Sequence, residues 1–275
     1  MPSVKSVVEF PRRGGLQSAA RARTVSAMRR LLFLIALCAF LRPAFSAGVP
    51  ANCTQLIVGL AETWDSGVGR IQCFERDGKT WRAVSQPQRV LFGANGLAWG
   101  IGVAGQNEPG RHKAEGDKRA PAGIFALGKV YTYETKLPPG ADYPFYTVTA
   151  ADAWIGNPEL LHYNEHVVVD LQNPPPWFKK EQMKQDDFAH HWKIEIRHNS
   201  DPPVPGAGSA IFFHIQRGPN KHSSGCTTMP QPALLSIIRW LRASAHPHYA
   251  LLPAAEYRAK WKAWGLPAPS LLSEN

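Results

Sequence analysis

One short stretch constrains this chain more than any other: Ile211-Phe212-Phe213-His214, followed by Ser223-Ser224-Gly225 and then Cys226, twelve residues beyond the histidine. Four residues that are apolar up to a terminal histidine specify a buried strand with a base at its end. A polar loop then leads to a cysteine at the start of the next segment, where the two side chains can meet. A thiol is a useful nucleophile only when a neighbour takes its proton, and histidine titrates in the range that allows it. Gly225 lets backbone approach a carbonyl closely, so its own N–H or that of Cys226 is a candidate oxyanion donor, with Ser223 and Ser224 as further loop donors. His222, four residues before Cys226, is a rival base. It follows the turn-forming run Gly218-Pro219-Asn220-Lys221, and such a loop holds a base less firmly than a strand end.

Charge does not point to nucleic acid. The formal charge is +10, but residues 1–47 carry eight Lys/Arg and one acid, and the rest of the chain is only +3. Arg29-Arg30, the apolar run Leu31–Leu41 and the small-residue segment ending at Ala47 have the layout of a cleaved export signal, with Met28 as a second candidate start. The apolar run is short for a membrane span, so no stable membrane insertion is expected after removal of the leader. The mature chain is expected in the periplasm, as a monomer. It keeps Cys53, Cys73 and Cys226. In an oxidising compartment three cysteines suggest one bridge and one free thiol, which pairs Cys53 with Cys73 and leaves Cys226.

The rest reads as mostly β, a curved sheet or sandwich. There are 24 prolines and 23 glycines. Short apolar or alternating runs fall at Gln55–Leu60, Gly69–Arg76, Trp81–Val84, Arg89–Phe92, Ile124–Leu127, Tyr143–Val148, Val167–Leu171, His191–Arg197, Ser209–Ile215 and Tyr249–Leu252. Asp77-Gly78 marks a hairpin. One or two helices are expected near the C-terminus: Gln231–Ala243, with an apolar stripe and prolines near its start, and Ala254–Trp264. The domain spans residues 48–253, followed by a helix and tail over 254–275. The stretch Asn173–His190 reads as a surface excursion able to cover a site. No metal-ligand spacing or phosphate loop is present, and neither metal nor cofactor is expected.

Two further segments accompany the histidine and cysteine. One is Lys113-Ala114-Glu115-Gly116-Asp117-Lys118-Arg119-Ala120-Pro121-Ala122-Gly123-Ile124-Phe125; the other is Asp152-Ala153-Trp154 with Tyr163-Asn164 beyond it. With these three in order, about residues 53–253 resemble the L,D-transpeptidase (YkuD-type) catalytic domain family. The usual family pattern has a histidine before Gly-Cys and an arginine two places after the cysteine; here Ser224 and Thr228 stand there. An exported branch shares these departures and the Lys-x-Glu-Gly-Asp-x-Arg-x-Pro-x-Gly-x-Phe element. The resemblance implies a β-rich fold and acyl transfer on peptidoglycan stem peptides, with Cys226 as nucleophile and His214 as base. It implies a thioester resolved by an amine, forming a cross-link, or by water, as in a carboxypeptidase or amidase. A wall-binding module without catalysis is the other alternative. Lys113, Glu115, Asp117, Arg119, Trp154, Tyr163 and Asn164 are the candidates to bind the stem peptide. A salt-bridged turn is the competing reading of the charged four.

Overall fold

The computed structural model describes residues 48–185 and 187–272. The leader expected over residues 1–47 lies outside them. The fold is mostly β. In chain order the strands are β1 (Gln55–Ala61), β2 (Val68–Asp77), β3 (Thr80–Ala83), β4 (Gln88–Leu91), β5 (Leu97–Trp99), β6 (Ala120–Thr132), β7 (Phe145–Thr147), β8 (Asp152–Trp154), β9 (His166–Val168), β10 (Trp192–Ile196), β11 (Phe212–Ile215), β12 (Thr227–Met229) and β13 (His248–Pro253). Three helices, α1 (Phe178–Glu181), α2 (Gln231–Trp240) and α3 (Ala254–Lys260), complete it. None of the described helices is long and apolar enough to cross a membrane.

The sheet curls back on itself. The path β1-β13-β6-β10-β11-β12-β4-β2 closes because β2 also pairs with β1. Closure removes most of the free edges that an open sheet would expose. Apolar side chains are buried on both faces of its strands: Leu56, Ile57, Phe74, Val90, Ile124, Phe125, Phe213 and Tyr249 are all essentially inaccessible. Within β11 the alternation of side chains sets the function of each face. Phe213 points inward, 4.6 Å from the Tyr249 ring, while Phe212 joins a separate aromatic cluster with Tyr131, Trp154 and Met183 on the other face.

The structure departs from the sequence expectations at several places. β11 begins only at Phe212, because Ala210 takes a left-handed backbone (φ 53°) that ends regular pairing. α2 stops at Trp240, where Leu241 turns extended (ψ 140°). α3 stops at Lys260, with turns carrying the chain to Gly265. Its aromatic side nonetheless docks on the parent domain, with Tyr257 and Trp264 buried. β5, β8 and β12 are too short to announce themselves by periodicity.

The Cys53–Cys73 bridge is not made: both are buried free thiols. The β1–β2 register puts Cys73 opposite Ile57, and the Arg76 N–H donates to the Thr54 carbonyl at 2.9 Å. Cys53 therefore lies about three to four residues along the ladder from Cys73. At roughly 3.4 Å per residue that is 10 Å or more, beyond the roughly 4.4–6.8 Å between Cα atoms that a disulfide spans. The Cys53 thiol instead donates to the Gln55 carbonyl at 3.2 Å.

Candidate active site

The site is built where β11 and β12 lie side by side. They are parallel, with Phe213 opposite Thr227 and His214 opposite Thr228. Cys226, immediately before β12, is thus the diagonal neighbour of His214, and alternation puts both on the face away from the main core. Diagonal neighbours of this kind are roughly 7–8 Å apart at the backbone, within reach of long side chains. The half-buried Cys226 Sγ receives the Phe212 N–H at 3.4 Å and donates to the Ala210 carbonyl at 3.4 Å. Burial pushes its pKa up; the Phe212 N–H and the cations of Lys193, Lys113 and Arg217 pull the other way.

His214 is buried, and its Nδ1–H donates to its neighbour's carbonyl, Ile215 O, at 2.9 Å. With Nδ1 so engaged, Nε2 carries the lone pair. Burial lowers its pKa to about 4, with the Arg217 and Lys193 charges adding to the effect, so the ring is neutral at pH 7. His190 packs edge-on against it, ring centroids 5.0 Å apart. His190 belongs to the Phe188–His190 turn of the Asn173–His190 excursion, which covers this face as expected from the sequence. Behind it Asp187 pairs with Arg217 and lies 3.6 Å from the His190 ring. The rival His222 is exposed, with its Nδ1 against the Gly67 carbonyl at 3.0 Å.

The loop before the thiol is locked from within. Ser223 is buried; its hydroxyl donates to the Cys226 carbonyl at 2.5 Å and accepts the Gly225 N–H at 3.1 Å. That bond occupies one of the two expected oxyanion donors. The Cys226 N–H has no partner among the described residues. Ser224 is exposed. Gly225 sits at φ +153°, where a Cβ would lie 2.9 Å from the Arg119 carbonyl and 3.2 Å from Ile211 Cδ1.

The charged element is spent largely on itself. Lys113, 3% exposed in its side chain, bonds Asp117 at 2.5 Å and the Ala114 carbonyl at 2.8 Å. Asp117 also accepts the Ala114 and Arg119 N–H groups. Arg119 reaches Asp65 and the Leu97 carbonyl. Glu115 accepts the hydroxyls of Tyr163 (2.5 Å) and Ser209 (2.7 Å). This turn presses against Gly225 and so braces the cysteine loop. Asn164 is likewise consumed: it accepts from Trp154 Nε1 and the Ala210 N–H, and donates to the His198 and Asn199 carbonyls. Trp154 reaches the site through Phe212, ring centroids 4.9 Å apart. The polar groups of all seven candidate substrate residues thus have internal partners.

Sequence reasoning missed Lys193 and His190. The alternation Trp192, Ile194, Ile196 assigns Lys193 to the solvent side of β10, yet it is 4% exposed. The signal available was a charged residue on the strand directly preceding the histidine strand.

The family model of the YkuD L,D-transpeptidase catalytic domain matches residues 70–247. No curated protein matches significantly. A similar solved structure is the helical cell shape determining protein Pgp2 from Campylobacter jejuni, at 13% identity and a TM-score of 0.34; the match covers 75% of this chain and 52% of that one, so this chain spans about half its length. A likeness this loose bears on neither fold nor chemistry. The family match takes in the strand histidine, the Gly-Cys loop and most of the sheet that holds them, and the chain belongs to the L,D-transpeptidase catalytic domain family.

Proposed function

We propose that this protein is a cysteine acyltransferase of peptidoglycan stem peptides, acting outside the cytoplasm through a thioester on Cys226. The observation that carries the reading is the pairing of β11 with β12. It sets a neutral histidine, its Nδ1–H tied to Ile215 O, on the same sheet face as a thiol at the mouth of a glycine loop. His214 Nε2 takes the thiol proton as sulfur attacks the stem-peptide carbonyl. The Cys226 N–H is the donor available to the oxyanion, since Gly225's is held by Ser223. Collapse expels the terminal amino acid as an amine, which takes the proton back from the imidazolium. An acceptor amine then attacks the thioester and forms an amide; water in its place gives the free acid.

Family membership supports the substrate class. The test is mass spectrometry of purified muropeptides incubated with the domain. Cross-linked dimers in wild type and none in Cys226→Ala are expected. Shortened monomers alone would convert the reading to a carboxypeptidase, and no change in either would overturn it.

A further inference from the structure

We propose that Lys193 is the fixed counter-charge of the Cys226 sulfur, a positioning residue that makes thiolate formation possible in a buried site. The proposal rests on the reading of Cys226 as nucleophile but is tested by thiol ionisation, not turnover, so the two can fail separately.

The geometry comes from four adjacent strands. Tyr131 of β6, Lys193 of β10, His214 of β11 and Thr228 of β12 lie in one cross-strand row, since each is register-paired with the next. Directly paired residues share a face, so Lys193 stands beside the base on the face that carries the thiol. The lysine leans toward the cysteine end of that face: Nζ lies 5.3 Å from the centroid of the Phe212 ring, and the Phe212 N–H touches Cys226 Sγ.

A buried ammonium is costly and normally bonded to a carboxylate. Here the nearby carboxylates are already taken. Asp152 accepts from Tyr146, His166 and both the N–H and hydroxyl of Thr149. Asp187 is held by Arg217 and the Ala189 N–H. Glu195, on the same strand, is itself shielded by burial and by Lys129 and Arg197. His190 and His214 face Lys193 as neutral rings, and Tyr131 as a neutral phenol. Of the anions that draw Lys193 toward its charged form, Cys226 comes before Asp152 and Asp187; conversely, Lys193 comes before Lys113 and Arg217 among the cations that favour the thiolate.

This charge answers a need the histidine leaves open. A ring with a pKa near 4 is a weak base that holds a proton poorly, so a lone thiolate–imidazolium pair is disfavoured here. A neighbouring ammonium offsets the negative sulfur while the proton sits on His214. Burial lowers Lys193 to about 8, so the cation is present at pH 7 and fades above about pH 8.

The experiment is the pH dependence of iodoacetamide alkylation at Cys226, read by peptide mass spectrometry so that Cys53 and Cys73 do not interfere. Lys193→Met and Lys193→Gln are expected to raise the apparent thiol pKa by about one unit or more, with roughly tenfold slower alkylation at pH 7.5. Lys193→Arg, which keeps the charge, is expected to hold the thiol at or below its wild-type value. An unchanged profile in folded Lys193→Met or Lys193→Gln overturns the proposal. So does a rise of a full unit in folded Lys193→Arg, which decides the matter even where neutral replacements fail to fold.

Discussion

Gly225→Ala tests how tightly the cysteine loop is set. Two separate costs apply. The backbone is at φ +153°, a region that side-chain-bearing residues occupy at about 1–3 kcal/mol. The new methyl would also lie 2.9 Å from the Arg119 carbonyl oxygen, which is backbone and held by the Lys113–Asp117 turn, so it cannot swing aside. Overpacking of this kind typically adds about 1–3 kcal/mol. Together they give a destabilisation of about 3 kcal/mol or more, or roughly 6–12 °C in Tm for a domain of this size. The control is Gly140→Ala. Gly140 has φ +82° but nothing within 4 Å of the added Cβ, so only the left-handed cost of about 1 kcal/mol applies. Thermal unfolding of both variants measures the difference, and Cys226 alkylation reports whether the loop has moved. If Gly225→Ala costs no more than Gly140→Ala, the close packing of the charged turn on the loop is wrong.

Three other outcomes follow from the same contacts. Non-reducing peptide mapping should find Cys53 and Cys73 as free thiols; under native conditions only Cys226 should alkylate, because burial pushes Cys53 to about 11 and Cys73 to about 12. Asn164→Ala removes four hydrogen bonds and strands several buried partners, so chemical denaturation should show a loss of about 3 kcal/mol or more. Acid should destabilise the fold through its buried histidines. His198 and His214 are lowered from 6.5 to about 4 by burial, so the unfolded chain takes up their protons first as pH falls. Their contribution is complete above pH 6.5 and is lost between about 6.5 and 4, at roughly 3 kcal/mol each. Urea unfolding at pH 7 and pH 4.5 should show it, and a flat profile would contradict the buried, neutral placement of both rings.

The histidine strand, the glycine-bound cysteine and the hairpin at Asp77-Gly78 were legible because each carries a local chemical or steric requirement. The closure of the sheet was not, since it depends on β1 pairing with strands near both ends of the domain, which no local pattern encodes. The charged turn was legible as a unit but not in its use. A run such as Glu115-Gly116-Asp117 reads the same whether its carboxylates face a ligand or meet Tyr163, Ser209 and Lys113 from distant segments. Lys193 was hidden for a related reason. Alternation in β10 identifies two faces, but only the tertiary fold tells that the second one is covered by the excursion that carries His190.

The central claim is that Cys226 carries the acyl group and His214 sets it there. Intact-protein mass spectrometry after rapid acid quench of the domain with a purified tetrapeptide muropeptide tests it most directly. The account predicts an adduct equal to the muropeptide less its terminal amino acid, localised to Cys226. It also predicts loss of that adduct in folded His214→Ala and its persistence in His222→Ala. Turnover without any adduct at Cys226, or an adduct that survives in His214→Ala and disappears in His222→Ala, would contradict it.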